Sequence, residues 1–275
     1  MSNHDKPLIA VIGATGAQGV EMVECNLSNL EQLVKAFQGA YGLFAATNFW
    51  QPEVRENPAV EVRQGQNIAD VAKQVGIQHL VFSSLPDAKK ISGGKYTEVA
   101  HFNTKAEIET YIKSLEIPTT VVNFGYYMTN WTGNPGQFRK RSDSDYEVDL
   151  SVPPTTVVPP IDTVGDGGHC VVHCFRKPQE TLGQPYDLAC GYITLGEMID
   201  ILAKVGGKKI HINVLTPEEA AIDPILYGIK TVYQCYEYIV EFGYFGGRDL
   251  QKTFDTFGSF NSFEDFLHNH NWKLE

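Results

Sequence analysis

The sequence predicts an α/β protein built on a doubly wound parallel sheet with a smaller C-terminal lobe, and three observations carry that expectation. Short apolar runs of strand length recur at residues 7–12, 41–46, 79–84 and 119–124. Segments with helical spacing separate them, most clearly at 59–75 and 101–115. The first run, PLIAVI, leads straight into glycines at 13, 16 and 19. Strands buried on both faces of a parallel sheet read as continuous apolar runs. Alternation of strand with helix is what the crossovers of such a sheet require.

Taken in order, residues 7–12 form the first strand, expected to be buried on both faces and bounded by Gly13. The Gly13-x-x-Gly16-x-x-Gly19 pattern after a strand suits a turn that brings backbone close to a diphosphate. Glycine leaves no Cβ in the way, and the amides of a following helix N-terminus donate to the phosphate oxygens. Gly13, Ala14, Thr15, Gly16, Ala17, Gln18 and Gly19 are therefore candidate dinucleotide contacts. The next stretch is unusual. An acidic residue for the ribose ordinarily follows some way past such a turn, about 20 residues on, whereas Glu24 comes five residues after Gly19.

Two accounts of residues 20–38 are open. Residues 20–25 can be a strand, followed by a helix over 28–38 capped by Ser28 and Glu31. Alternatively, Val20, Val23, Leu27, Leu30, Val34 and Phe37 form one stripe of a continuous helix. The continuous helix is the better account, because a parallel neighbour needs a longer crossover than residues 13–19 supply. Asn26 and Ser28 in its middle weigh against it.

The helix over 59–75 carries Val60, Ile68, Val71, Ala72 and Val75 before Gly76, and that over 101–115 carries Phe102, Ala106, Ile108, Ile112 and Leu115 before Pro118. Beyond Trp131 come GNPGQF, a mixed-charge run from Arg139 to Asp149, and VPPTTVVPP. So many turn formers predict a solvated loop without regular elements. Residues 1–130 then form the core and 131–275 the lobe, together one compact unit. Thr194 with Glu197 and Thr216 with Glu219 announce two further helices, the second with Pro217 at its first position. FNSFEDFLHNHNW, near the end, predicts an aromatic-rich helix.

Composition narrows the function. The 43% hydrophobic and 20% charged residues fit a folded globular chain, and a net charge of −11 disfavours nucleic acid. No apolar run is long enough for a membrane span and no signal peptide is evident, so cytoplasmic residence is expected. Five cysteines without a CxxC pair fit a reducing compartment.

GATGAQG at 13–19, AATNFW at 45–50, LVFSSL at 80–85 and HFNTKAEIETYIKSLEIPTTVVNFGYYMTNW at 101–131 together resemble the NmrA-like family. This is a group of atypical short-chain dehydrogenases that includes fungal nitrogen regulators and a human redox sensor. The resemblance implies a Rossmann-like fold that binds NADP, often without turnover. It also implies that about 35 residues are absent between Gly19 and Val20, comprising the first helix, the second strand and the basic loop that grips the 2′-phosphate. Loss of that clamp predicts NADP binding weakened about 10- to 100-fold, with NAD admitted as well.

By the same resemblance, Asn26, Thr47, Asn48 and Trp50 lie beside the cofactor, while Ser83, Tyr127, Met128 and Asn130 line its nicotinamide side. Lys105 matches the lysine that holds the nicotinamide ribose hydroxyls. Short-chain dehydrogenases place a catalytic tyrosine four residues before that lysine. Here the position is His101, which can serve as a proton donor or simply pack, and Tyr96 is out of register to replace it. His169, Cys170, His173 and Cys174 in GGHCVVHCF invite a zinc reading, but one helical turn cannot easily surround a metal tetrahedrally, so no metal is expected.

The implied function is an NADP(H)-responsive regulator with little or no catalysis, acting through a protein partner. The alternative is an NADPH-dependent reductase of a small carbonyl or quinone using Lys105 and His101 or water.

Overall fold

The computed structural model describes residues 7–13, 22–133, 137–222 and 230–274. In chain order the first half gives β1 (Ile9–Val11), α1 (Leu30–Phe37), β2 (Gly42–Ala45), α2 (Pro52–Glu56) and α3 (Ala59–Val75). Then come β3 (His79–Ser84), α4 (Ala88–Ile91), α5 (Ala100–Ser114) and β4 (Thr119–Phe124). Short strands follow as β5 (Tyr126–Tyr127), β6 (Phe138–Lys140), β7 (Asp145–Leu150), β8 (Val157–Val158) and β9 (Pro160–Ile161). The remainder is α6 (Gly165–Arg176), α7 (Pro178–Thr181), β10 (Pro185–Leu188), β11 (Ile193–Thr194), α8 (Leu195–Gly206) and β12 (Lys209–Val214). Four helices close the chain: α9 (Pro217–Ile222), α10 (Lys230–Phe242), α11 (Gln251–Phe257) and α12 (Phe263–Asn269).

Two compact units result, and they do not follow the expected break at residue 130. The first comprises residues 1–87, 100–123 and 170–186, the second 88–99, 124–169 and 187–275. The chain returns to the first unit after residue 169 because the sheet takes a further strand and a covering helix from that region. The second unit is accordingly not the smaller one.

In the first unit the strands lie in the order β1-β2-β3-β4-β10. β1 pairs β2, β2 pairs β3 and β3 pairs β4, all parallel, so the α/β parallel sheet foreseen in the sequence is present. One face carries a single core in which Leu33 and Phe37 of α1, Ile68 and Ala72 of α3 and Ile108 and Ile112 of α5 pack with Leu43, Leu80 and Phe82. On the other face the α6 residue Phe175 stands against His79 with ring centroids 5.3 Å apart, and lies where a Cβ at Gly42 would sit. Helices thus cover both faces.

Two expectations fail at the start of the chain. β1 is the outer strand among the described residues, so Val11 is 48% exposed rather than buried on both faces. Over the described residues the continuous helix expected at 20–38 does not form either. Residues 22–26 have no regular structure, a turn follows at 27–28, and α1 begins only at Leu30. The cause is competition for backbone amides. Asn26 Oδ1 accepts from the Ser28 N–H at 2.8 Å, and Asn29 caps α1 by accepting from the Gln32 N–H at 3.1 Å. Such side chains offer the backbone an alternative to helix and end it. The strand alternative fails over the described residues as well, and its expected Ser28 cap is replaced by Asn29.

α3 and α5 approach closely because position 65 is glycine. A Cβ there would meet three Ile108 side-chain atoms at 2.5 Å. Gly65→Ala should therefore force the two helices apart and lower the unfolding free energy by about 1–3 kcal/mol, a typical cost of overpacking, measured by urea denaturation.

In the second unit the mixed-charge run forms a hairpin rather than the expected loop. β6 and β7 pair antiparallel, and β12 pairs β7 in parallel. Its DYEVDL segment alternates strictly, burying Tyr146, Val148 and Leu150. Arg139 crosses the hairpin to Glu147 at 2.6 Å and to Asp149. Both anticipated capping boxes form, as does one at Ser262 and Asp265 that starts α12. None of the described helices is long and apolar enough to cross a membrane.

Candidate functional site

The sheet's carboxyl edge sets the site, because parallel strands all end there. Two residues after β1 comes Gly13, whose φ of +81° favours glycine and beside which a Cβ would meet nothing within 4 Å. Ala14, Thr15, Gly16, Ala17, Gln18 and Gly19 lie outside the described residues. Asn26 is exposed, with its side-chain oxygen committed to the Ser28 amide.

After β2 the chain alternates inward and outward. Thr47 and Phe49 are buried; Asn48 and Trp50 are exposed. Asn48 Oδ1 accepts from the Trp50 N–H at 3.0 Å and fixes the turn. Trp50 and Phe49 flank His101, at centroid distances of 5.4 and 5.7 Å, and Phe102 lies edge-on to it at 4.9 Å. Burial among these rings, with the Lys105 charge adding to it, pushes the imidazole down to about 3. Ser83 is buried at the end of β3, beside Ser84, which donates to Glu109 at 2.6 Å.

Lys105 meets a partner that sequence reading had not identified. Its Nζ donates to Thr47 O at 2.7 Å, to Thr47 Oγ1 at 2.8 Å and to Glu61 Oε1 at 2.8 Å. Glu61 is fully buried, and it also accepts from Thr47 Oγ1 at 2.6 Å and Thr104 Oγ1 at 2.5 Å. Burial lowers the Lys105 pKa, while the Glu61 carboxylate opposes that shift. The close crossing of Gly65 and Ile108 lies one helical turn from Glu61 and Thr104, and so holds the two helices near enough for the contact. A signal was available, since Glu61, Gly65, Ile68 and Ala72 share one helical stripe and all are buried or closely packed.

Thr47, Trp50, His101 and Lys105 are thus brought together in the first unit. Tyr127, Met128 and Asn130 belong to the second. Tyr127 and Asn130 are exposed, but Met128 is fully buried and offers no surface to a ligand, contrary to expectation. Tyr96 is also in the second unit, its hydroxyl donating to Glu241 at 2.9 Å. Cys170 and Cys174 of α6 are buried, the Cys174 thiol being pushed up to about 12 by burial. A cavity of about 520 Å³ in the second unit is lined by Val157, Tyr192, Val240 and Arg248, and by none of the expected site residues.

The NmrA-like family model matches residues 12–267. The chain belongs to the NmrA-like family. A family member from Dictyostelium discoideum is 25% identical over 225 residues, covering 78% of this chain and 72% of that protein. The nitrogen metabolite repression protein nmrA of Emericella nidulans is 29% identical over 162 residues. That match takes in 57% of this chain and 44% of the relative, so the chain spans less than half of it. Among solved structures, NmrA, described as a negative transcriptional regulator, superposes in its NAD complex with a TM-score of 0.70 at 23% identity, covering 88% of this chain and 77% of that one. Its NADP complex gives 0.69 at 24% identity, covering 87% and 76%. At these identities the structures show the fold alone.

Proposed function

We propose that this chain binds a nicotinamide dinucleotide and acts as a regulator with little or no catalysis. The observation that carries the low-catalysis reading is His101. Its imidazole is packed against Phe49, Trp50 and Phe102, and burial with the nearby Lys105 charge holds its pKa well below neutral, away from the matched value a proton donor needs. The dinucleotide reading is supported by the left-handed Gly13 in the turn after β1, with open space beside it, and by the NAD and NADP complexes of the NmrA neighbour. A diphosphate would approach that turn; Thr47, Asn48 and Trp50 would lie along the loop beneath it.

Selectivity for the 2′-phosphate is proposed to be weak. No lysine, arginine or histidine occurs between Gly13 and Lys35, the stretch that would supply its counter-charge. Calorimetric titration should give dissociation constants for NADPH and NADH within about tenfold of each other, less than one charge-assisted clamp would impose. Strong NADPH preference contradicts weak selectivity, and absence of binding by either removes the dinucleotide reading. Incubation with NADPH over a quinone and aldehyde panel should show no substrate-dependent oxidation. Substrate-dependent NADPH oxidation by the wild-type chain would establish the reductase reading instead.

A further inference from the structure

A lysine ammonium has three hydrogens to donate. In this protein the Lys105 ammonium has three acceptors within the chain: the Thr47 carbonyl, the Thr47 hydroxyl and the Glu61 carboxylate. A ribose diol could receive a bond from Lys105 only by displacing or sharing one of them. Glu61 is the hardest to displace. It is fully buried, so releasing the ammonium would leave a carboxylate out of water with, among the described residues, the Thr47 and Thr104 hydroxyls as donors. A neutral ribose hydroxyl competes poorly with a desolvated carboxylate as an acceptor.

We infer that Glu61 is a positioning residue that withholds Lys105 from the nicotinamide ribose, so that a dinucleotide is held through its diphosphate and adenosine portions. This rests on the dinucleotide reading above. The nicotinamide half then contributes little to affinity, and the ring is not fixed for hydride transfer. The arrangement is pinned by geometry on three elements: the loop after β2 supplies Thr47, α3 supplies Glu61 and α5 supplies Thr104 and Lys105.

The test compares NADPH with adenosine 2′,5′-bisphosphate, which has the adenosine portion and 2′-phosphate but no nicotinamide ribose. Glu61→Gln keeps the shape of the side chain and removes its charge, leaving Lys105 held by a neutral amide oxygen that a ribose hydroxyl can displace far more readily. It should tighten NADPH by about tenfold, the worth of roughly one hydrogen bond from a charged donor, and leave the bisphosphate unchanged. Equal shifts for both ligands would assign Glu61 a structural role and overturn the inference; so would NADPH binding that fails to tighten. If Glu61→Gln does not fold, the wild-type chain carries the test alone. NADPH lacking the 2-hydroxyl of its nicotinamide ribose should bind it as tightly as NADPH, and a clear loss of affinity overturns the inference. Failure of NADPH, NADH and the bisphosphate to bind the wild type removes the dinucleotide reading together with this inference, whereas binding without the differential effect removes this inference alone.

Discussion

Lys105→Met will lower the unfolding free energy by about 3–5 kcal/mol, the cost of stripping one partner from a buried ion pair. Methionine replaces most of the lysine stem, so packing against the loop after β2 is largely kept. What it cannot replace is the charge. Glu61 has no exposed surface, and its remaining partners are the hydroxyls of Thr47 and Thr104. The Thr47 carbonyl loses its bond as well. Removing the carboxylate at the same time should restore much of the loss, because two apolar side chains need no partners. Lys105→Met with Glu61→Leu is therefore expected to be more stable than Lys105→Met alone. Urea denaturation of wild type, single and double variants gives the comparison. A single variant within about 1 kcal/mol of wild type, the range of an exposed pair, would show that water reaches Glu61 in solution.

The same network shows where the sequence was legible. The helix at 59–75 was foreseen with the bounds it has, and the strand runs at 79–84 and 119–124 likewise, because each is long or continuously apolar and each is packed as its period demands. Thr47, Trp50, His101 and Lys105 do converge. Glu61 escaped because an acid in a helix ordinarily faces water; its burial depends on Lys105, 44 residues later, and on the close approach that Gly65 permits. The stretch 22–29 was misread for a different reason. Its apolar spacing is helical, but Asn26 and Asn29 take amides that a helix would use, and Met22 and Val23 remain exposed. In 145–150, charge concealed a period of two. The alternation was present in DYEVDL, and the acidic residues simply form its outer face.

Acid will destabilise the first unit well before its carboxylates are protonated. His79 is fully buried in β3, its Nε2 2.8 Å from Thr120 Oγ1, and burial pushes it down to about 4. His101 lies lower still, near 3, through burial and the neighbouring Lys105 charge. In the unfolded chain both titrate near 6.5. Below that pH the unfolded state therefore takes up protons that the native state refuses, and the equilibrium moves toward unfolding. The contribution is complete above about pH 6.5, declines as pH falls, and is lost once pH passes the folded values near 4 and 3. Each proton contributes a slope of about 1.4 kcal/mol per pH unit, so the two together approach about 2.7 between pH 6 and 4.5. Urea titrations at pH 7, 6, 5 and 4.5 should show this decline. His79→Leu and His101→Leu should each remove about half of this contribution, and the pair should leave only the shallower decline from carboxylates whose pKa folding lowers. A wild-type profile already level from pH 7 to 5 would mean that both rings accept protons in the folded chain, which would return His101 to the list of groups able to donate one.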